Sequence, residues 1–235
     1  FSIVDGMVEE SAHLSYSEVF ADVLARIARE DPRVVGVTAA MAEGTGLAKM
    51  RREFPARVFD VGIAEDHAVT FAAGLALSGL RPVVAVYSTF LQRAVDQVVH
   101  DVAIPGRPVV FAVDRAGLVS GDGETHQGVF DLAMLGPVPN LAVVAPAGAV
   151  EMEAAFRWAF EADGPTAIRY PKAFCAPECA ELAAPFEPGR GVFARYHQGE
   201  VLIVAVGALL LEALRAAHQL GLRGISTDVY SLRFV

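Results

Sequence analysis

Three polar clusters along the sequence combine side chains able to move protons or hold anions. In Ile63-Ala64-Glu65-Asp66-His67 a carboxylate follows an apolar run and opens a helix containing Val69, Phe71, Ala72, Leu75 and Leu77. Such a junction, at the end of a strand in an open α/β sheet, faces the ligand crevice. Glu65 and Asp66 also suit a plainer role as first-turn acids favoured by the helix dipole. Tyr87-Ser88-Thr89-Phe90-Leu91-Gln92-Arg93 repeats the arrangement with two aromatic rings and a guanidinium. A flat ligand ring can stack on such residues, although Tyr87 and Phe90 would equally serve as core. The third cluster, Asp114-Arg115-Ala116-Gly117 leading into Gly121-Asp122-Gly123-Glu124-Thr125-His126-Gln127-Gly128, is the densest. It mixes His, Arg and carboxylates on a permissive glycine-rich backbone, which a bland surface loop has little reason to do.

Positioning these clusters falls to an alternation of strands and helices. Ser15-Tyr16-Ser17-Glu18 has the spacing of a capping box, and Val19, Phe20, Val23, Leu24 and Ile27 recur at helical intervals until Asp31-Pro32. Short apolar strands are predicted at 34–37, 58–61, 82–87, 108–113, 141–145 and 166–169, with helices at 64–78, 89–102 and 149–161 between them. A Gly-rich loop, Glu43-Gly44-Thr45-Gly46, follows the first strand and enters a short polar helix. Strands this short and this apolar require a parallel sheet with helices on both faces, an α/β fold. The clusters then fall at strand ends and share one cleft. Residues 1–170 are expected to form this domain. The Pro- and Gly-rich stretch 171–199 is expected as a linker. Residues 200–235 open an incomplete second α/β unit, with a buried strand at 201–206, a helix at 208–220 and a strand at 224–230.

Composition narrows the partners. The chain has 235 residues, 54% of them hydrophobic, and a net charge of -9; its mean hydropathy is +0.41. Disorder is excluded, and an acidic surface offers no field to collect a nucleic acid backbone. The longest nearly apolar stretch, 201–211, falls short of the ~20 residues a spanning helix needs, so no membrane is expected. Cys175 and Cys179 are too few for a disulfide scaffold and lack companions for a zinc site, which favours a reducing, cytoplasmic location. Phe1-Ser2-Ile3-Val4-Asp5 has neither an initiator Met nor the pattern of a signal peptide, and reads as an internal cut.

On its polar clusters the chain resembles the 1-deoxy-D-xylulose-5-phosphate synthase family. The resemblance is carried by Phe59-Asp60-Val61-Gly62-Ile63-Ala64-Glu65, by Tyr87-Ser88-Thr89-Phe90-Leu91-Gln92-Arg93-Ala94-Val95-Asp96-Gln97, and by the third cluster. It covers residues 16 to about 172, and Ser231-Leu232-Arg233-Phe234-Val235 is similar to the start of that family's C-terminal domain. Transketolases and 2-oxo-acid dehydrogenase β subunits share the first motif more loosely; the other two are more specific. The resemblance implies a thiamine-diphosphate-binding, transketolase pyrimidine-domain fold. It also implies a magnesium-dependent transferase that decarboxylates pyruvate and joins the two-carbon unit to glyceraldehyde 3-phosphate, in isoprene and thiamine biosynthesis, acting as a cytoplasmic homodimer.

The same resemblance assigns roles. Glu65 would hydrogen-bond the aminopyrimidine and promote its reactive tautomer, which requires a carboxyl able to share a proton, enclosed in an apolar surround. Phe90 would stack on the pyrimidine, with Tyr87 and Arg93 lining the pocket. His126 and Asp122 would lie near the reacting carbons, where an imidazole can exchange protons near neutral pH. Arg115 and Lys172 would bind the substrate phosphate. Asp66 and Ala42 stand where the family has Gln and Arg, and Lys172-Ala173 stands where it has Arg-Gly. Lysine keeps the charge but loses the planar fork. No metal ligand is expected in this chain: the family's Gly-Asp-Gly and distant Asn belong to a separate domain, and Asn140, the sole Asn here, follows Gly121-Asp122-Gly123 too closely. A split transketolase-superfamily subunit with another acceptor and a non-catalytic assembly subunit remain as alternatives.

Overall fold

The computed structural model describes residues 14–175 and 180–235. The N-terminal stretch read as an internal cut and Cys179 lie outside them; Cys175 is buried. Chain order is α1 (Tyr16–Glu30), β1 (Val34–Thr38), α2 (Ala48–Glu53), β2 (Val58–Asp60), α3 (Glu65–Leu77) and β3 (Arg81–Tyr87). There follow α4 (Ser88–Leu91), α5 (Val95–Gln97), β4 (Val110–Asp114), α6 (Asp131–Leu135), β5 (Ala142–Val144), α7 (Ala149–Glu161) and β6 (Thr166–Arg169). The last elements are β7 (Val192–Arg195), β8 (Val201–Ala205), α8 (Leu210–Gly221) and β9 (Thr227–Ser231).

Strands β1 to β6 form a six-stranded sheet in the order β2-β1-β3-β4-β6-β5, all parallel. The pleat sorts its side chains between two cores. Val83, Ala85, Val110, Ala112 and Ile168 face α1 and α7, whereas Val84, Val86, Phe111, Val113 and Ala167 face α3 and the segment after β3. From β1 the chain moves outward to β2 and then returns across to β3, so the sheet has its switch point between β1 and β3. Ligands in open α/β sheets bind at the strand C-termini beside such a point.

Helix α1 begins on the expected capping box. Glu18 N–H donates to Ser15 Oγ at 3.3 Å and Ser15 N–H to Glu18 Oε2 at 2.7 Å. The predicted helix 89–102 is instead broken into α4, a 3-10 turn (Gln92–Ala94), α5 and a π-helical turn (Val98–Ala103). Leu91, Ala94, Val98 and Val102 stay buried throughout. Local tightening and widening of the backbone keep that row on the sheet while Phe90 and Arg93 turn toward the strand ends.

Residues 171–199, expected as a linker, contribute β7, which pairs antiparallel with β9. The second sheet has the order β7-β9-β8. Strand β8, expected buried, is largely exposed, with Leu202 at 55% and Val204 at 53%. It is an edge strand whose Ile203 and Ala205 pack with Leu210, Ala213 and Ala217 of α8, so only alternate residues find cover. The C-terminal residues return to the large sheet: Val144 bridges Phe234, and Val235 N–H donates to Val143 O at 2.9 Å.

Candidate active site

The first turn of α3 separates the two acids that the sequence sets side by side. Asp66 Oδ1 accepts the N–H of its neighbour His67 at 2.8 Å, a local contact within the first turn. Glu65 points inward and is only 4% exposed. Its carboxylate is reached by Arg93 Nη1, 3.4 Å from Oε1 and 3.3 Å from Oε2. The Arg93 guanidinium also lies 5.8 Å from the Phe90 ring centroid. Phe90 stacks with Tyr87 at 5.7 Å and 22° and meets His126 edge-on at 5.3 Å.

The aromatic cluster leads directly to the cations. Arg115 sits 3.7 Å above the Tyr87 ring, a cation–π geometry. Its Nε donates to Asp122 Oδ2 at 3.1 Å and its Nη1 to Gly44 O at 3.2 Å. Lys172 Nζ pairs with the other oxygen of Asp122. These two cations hold the Asp122 carboxyl below its usual range. Every expected site residue therefore lies on one chain of contacts, from Glu65 through Arg93, Phe90, Tyr87 and Arg115 to Asp122 and Lys172, with His126 against the aromatic pair. The chain crosses the ends of β3, β4 and β6.

Backbone and loop geometry fix these positions. Arg115 has φ 58, a left-handed conformation uncommon outside glycine. Its own N–H donates to Asp114 Oδ1 at 2.6 Å, and Gly117 and Gly128 exchange backbone hydrogen bonds at 2.7 and 2.9 Å. Within the loop, the Gln127 carboxamide accepts from Val119 N–H at 2.9 Å and donates to Val119 O at 2.8 Å. A cleft of about 720 Å³ opens on the cation side, between Ser17, Gly44, Lys49, Arg52, Arg115 and Lys172. Glu65 and Phe90 do not line it; they sit toward the open face of the strand ends, where Ile63 and Arg93 are exposed.

Sequence reasoning assigned no role to Asp114, which is fully buried. It accepts from Ser17 Oγ at 2.7 Å and lies 3.3 Å from Arg115 Nη1. Burial pushes its carboxyl from 3.8 up to about 6, against the lowering effect of Ser17 and Arg115. A carboxyl raised on folding binds its proton more tightly in the native state. Its contribution to stability is thus greatest below pH 3.8 and is lost as pH rises through about 6, by about 3 kcal/mol in all. Asp114→Asn does not titrate. The stability of the variant relative to the parent chain is expected to rise between pH 4 and pH 7, measured by denaturant unfolding; a pH-independent difference would contradict the assignment.

The family model for the transketolase pyrimidine-binding domain matches residues 12–176, and the chain belongs to that family. It is homologous to 1-deoxy-D-xylulose-5-phosphate synthases. The synthase of Treponema pallidum (strain Nichols) is 53% identical over 236 residues, covering 100% of this chain and 38% of that protein. That of Anaeromyxobacter dehalogenans (strain 2CP-1 / ATCC BAA-258) is 52% identical over 223 residues, covering 94% and 35%. The chain therefore spans little more than a third of these relatives' length. Among solved structures, a split-gene transketolase in the form of an inactive β4 tetramer superposes with a TM-score of 0.82 at 30% identity, covering 95% of this chain and 72% of that one. A Pichia stipitis transketolase in complex with sedoheptulose 7-phosphate shares the fold, with a TM-score of 0.84 at 21% identity, covering 95% and 35%.

Proposed function

We propose that this chain supplies the pyrimidine side of a thiamine-diphosphate-dependent synthase. The enzyme decarboxylates pyruvate and joins the two-carbon unit to glyceraldehyde 3-phosphate, giving 1-deoxy-D-xylulose 5-phosphate. The observation that carries this reading is the unbroken line of contacts from the enclosed Glu65 carboxylate to the Arg115–Asp122–Lys172 cluster. An enclosed acid beside a partly exposed aromatic ring suits a flat heteroaromatic amine, and a pair of cations beyond it suits a phosphate. A non-catalytic subunit would have no use for both.

The chain's own groups divide the work. Glu65 would hydrogen-bond the pyrimidine edge through its carboxyl, and Phe90 would offer its face to the ring. Arg93, in contact with Glu65 and near Phe90, keeps the acid and the ring in register. Bound thiamine diphosphate would supply the nucleophilic carbon and the electron sink. His126, packed against Phe90, would carry protons to and from the reacting oxygen. Arg115 and Lys172 would take the acceptor phosphate, and Asp122, which pairs with both, would lie near the reacting carbons. Among the described residues no cluster of His, Cys, Asp or Glu could hold a metal ion. Magnesium and the diphosphate would be held by residues outside this chain, in a homodimer or with a partner polypeptide. The product would feed isoprenoid, thiamine and pyridoxal biosynthesis.

The likeness to a split-gene transketolase, together with lysine at position 172, supports a second reading as a split subunit using another acceptor. Labelled carbon dioxide release from pyruvate by the full-length protein or complex that contains this chain, with thiamine diphosphate and Mg²⁺ across a panel of aldehydes, separates the two. Release stimulated by glyceraldehyde 3-phosphate is expected. Stimulation by a different aldehyde alone supports the split-subunit reading, and no release with any aldehyde overturns both.

A further inference from the structure

The Gly-rich turn after β1, whose Glu43 pairs with Arg51 and Arg52, lines the cation side of the site. Its shape is fixed from within: Thr45 N–H and Oγ1 both donate to Met41 O, at 3.0 and 2.8 Å, and Ala48 N–H donates to Ala42 O at 2.9 Å. Thr45 is fully buried. A rigid turn of this kind cannot give way to a neighbour.

Gly44 meets that neighbour. A Cβ at this position would lie 1.8 Å from the Tyr87 hydroxyl oxygen, 3.0 Å from Cζ and 3.6 Å from Cε1. Its backbone is not in the left-handed region, so alanine is excluded by Tyr87 and not by backbone conformation. The Tyr87 ring in turn carries the Arg115 guanidinium on its face at 3.7 Å and packs on Phe90. The Gly44 carbonyl also accepts from Arg115 Nη1. One residue thus touches both members of the Tyr87–Arg115 pair.

We propose that Gly44 is a positioning residue for acceptor recognition: its missing side chain seats Tyr87 and its carbonyl aims Arg115 at the acceptor phosphate. The proposal rests on the functional reading above, and the two can fail separately. In the holoenzyme, Gly44→Ala is expected to raise KM for glyceraldehyde 3-phosphate tenfold or more. KM for pyruvate, and KM for unphosphorylated glyceraldehyde, should stay within twofold. Removing the hydroxyl takes away the 1.8 Å contact and leaves only the 3.0 Å approach to Cζ, so Gly44→Ala should cost clearly less in Tyr87→Phe than in the parent. A purely structural lesion would add equally in both backgrounds. The second readout needs no acceptor: the NMR shift of the Arg115 side-chain N–H, displaced by the Tyr87 ring current in the parent protein, should move toward its random-coil value in Gly44→Ala.

An unchanged Arg115 resonance, or an equal cost of Gly44→Ala with and without the Tyr87 hydroxyl, overturns the proposal. If the resonance moves while the parent enzyme shows no preference for phosphorylated over unphosphorylated aldehyde, the seat stands and the phosphate reading falls.

Discussion

Glu65→Gln is expected to slow deuterium exchange at the thiazolium C2 of bound thiamine diphosphate on the order of 10³-fold or more, with the unfolding midpoint little changed. Glutamine has nearly the same shape, and its carbonyl can still accept from Arg93, which contacts both Glu65 oxygens in the native site. What it lacks is an acidic oxygen that can exchange a proton with the ring. Because Glu65 is enclosed and Arg93 is the protein donor on its carboxylate, no neighbouring acid stands ready to replace it. Asp66 is the nearest in sequence, but its carboxylate is turned to the His67 N–H. Ordinary exchange in the variant would remove Glu65 from the mechanism and with it the main argument for a catalytic site. Loss of exchange accompanied by unfolding would be resolved by Glu65→Asp. Aspartate retains the acid on a shorter arm and should recover exchange only in part.

The elements legible in the sequence were those whose pattern is local. Val34–Thr38 and Val110–Asp114 are buried along their whole length, as runs of apolar residues in a parallel sheet must be. The Ser15–Glu18 reciprocal cap has its signal within four positions. Glu65, Phe90 and Arg115 stood out because each follows a strand within five residues, whereas His126, twelve residues after β4, stood out only by the polar groups crowded around it. What escaped depends on partners far along the chain. Nothing near Ser17 announces that its hydroxyl will meet Asp114, and nothing near Gly44 announces Tyr87. Strand β7 was hidden by the prolines and glycines around it, since its pairing partner β9 lies beyond the next strand and helix. The apolar run at β8 suggested burial, but sequence cannot tell a central strand from an edge strand. The same limit applies to Arg233, which stands in an apolar C-terminal stretch with no local sign of a partner.

Arg233 carries the second large expected effect, this time on stability. Its side chain is almost wholly buried, as is that of Glu151 on α7, and Nε donates to Glu151 Oε1 at 2.7 Å. Three further donors are used: Nη1 reaches Ala184 O and Pro185 O, and Nη2 reaches Leu182 O, each at 2.9 Å. The guanidinium lies 4.4 Å from the centroid of Phe186. The other Glu151 oxygen accepts the Ala147 N–H at 2.7 Å. This single side chain therefore ties α7, the 182–186 stretch and the C-terminal segment together. Removing one partner of a buried pair leaves the other charge uncompensated, a loss of about 3–5 kcal/mol. Arg233→Met should thus lower the thermal midpoint by roughly 10 °C for a chain of this size. Arg233→Met combined with Glu151→Gln removes the stranded charge and should recover part of the loss. Recovery must stay incomplete, because the carbonyls of Leu182, Ala184 and Pro185 lose their donor in either variant. A loss below about 1 kcal/mol for Arg233→Met would mean that water replaces the guanidinium at little cost. In that case the attachment of the C-terminal segment would rest on the backbone bonds at Val143 and Ala145 and on Phe234 against Trp158, whose rings meet edge-on at 5.2 Å.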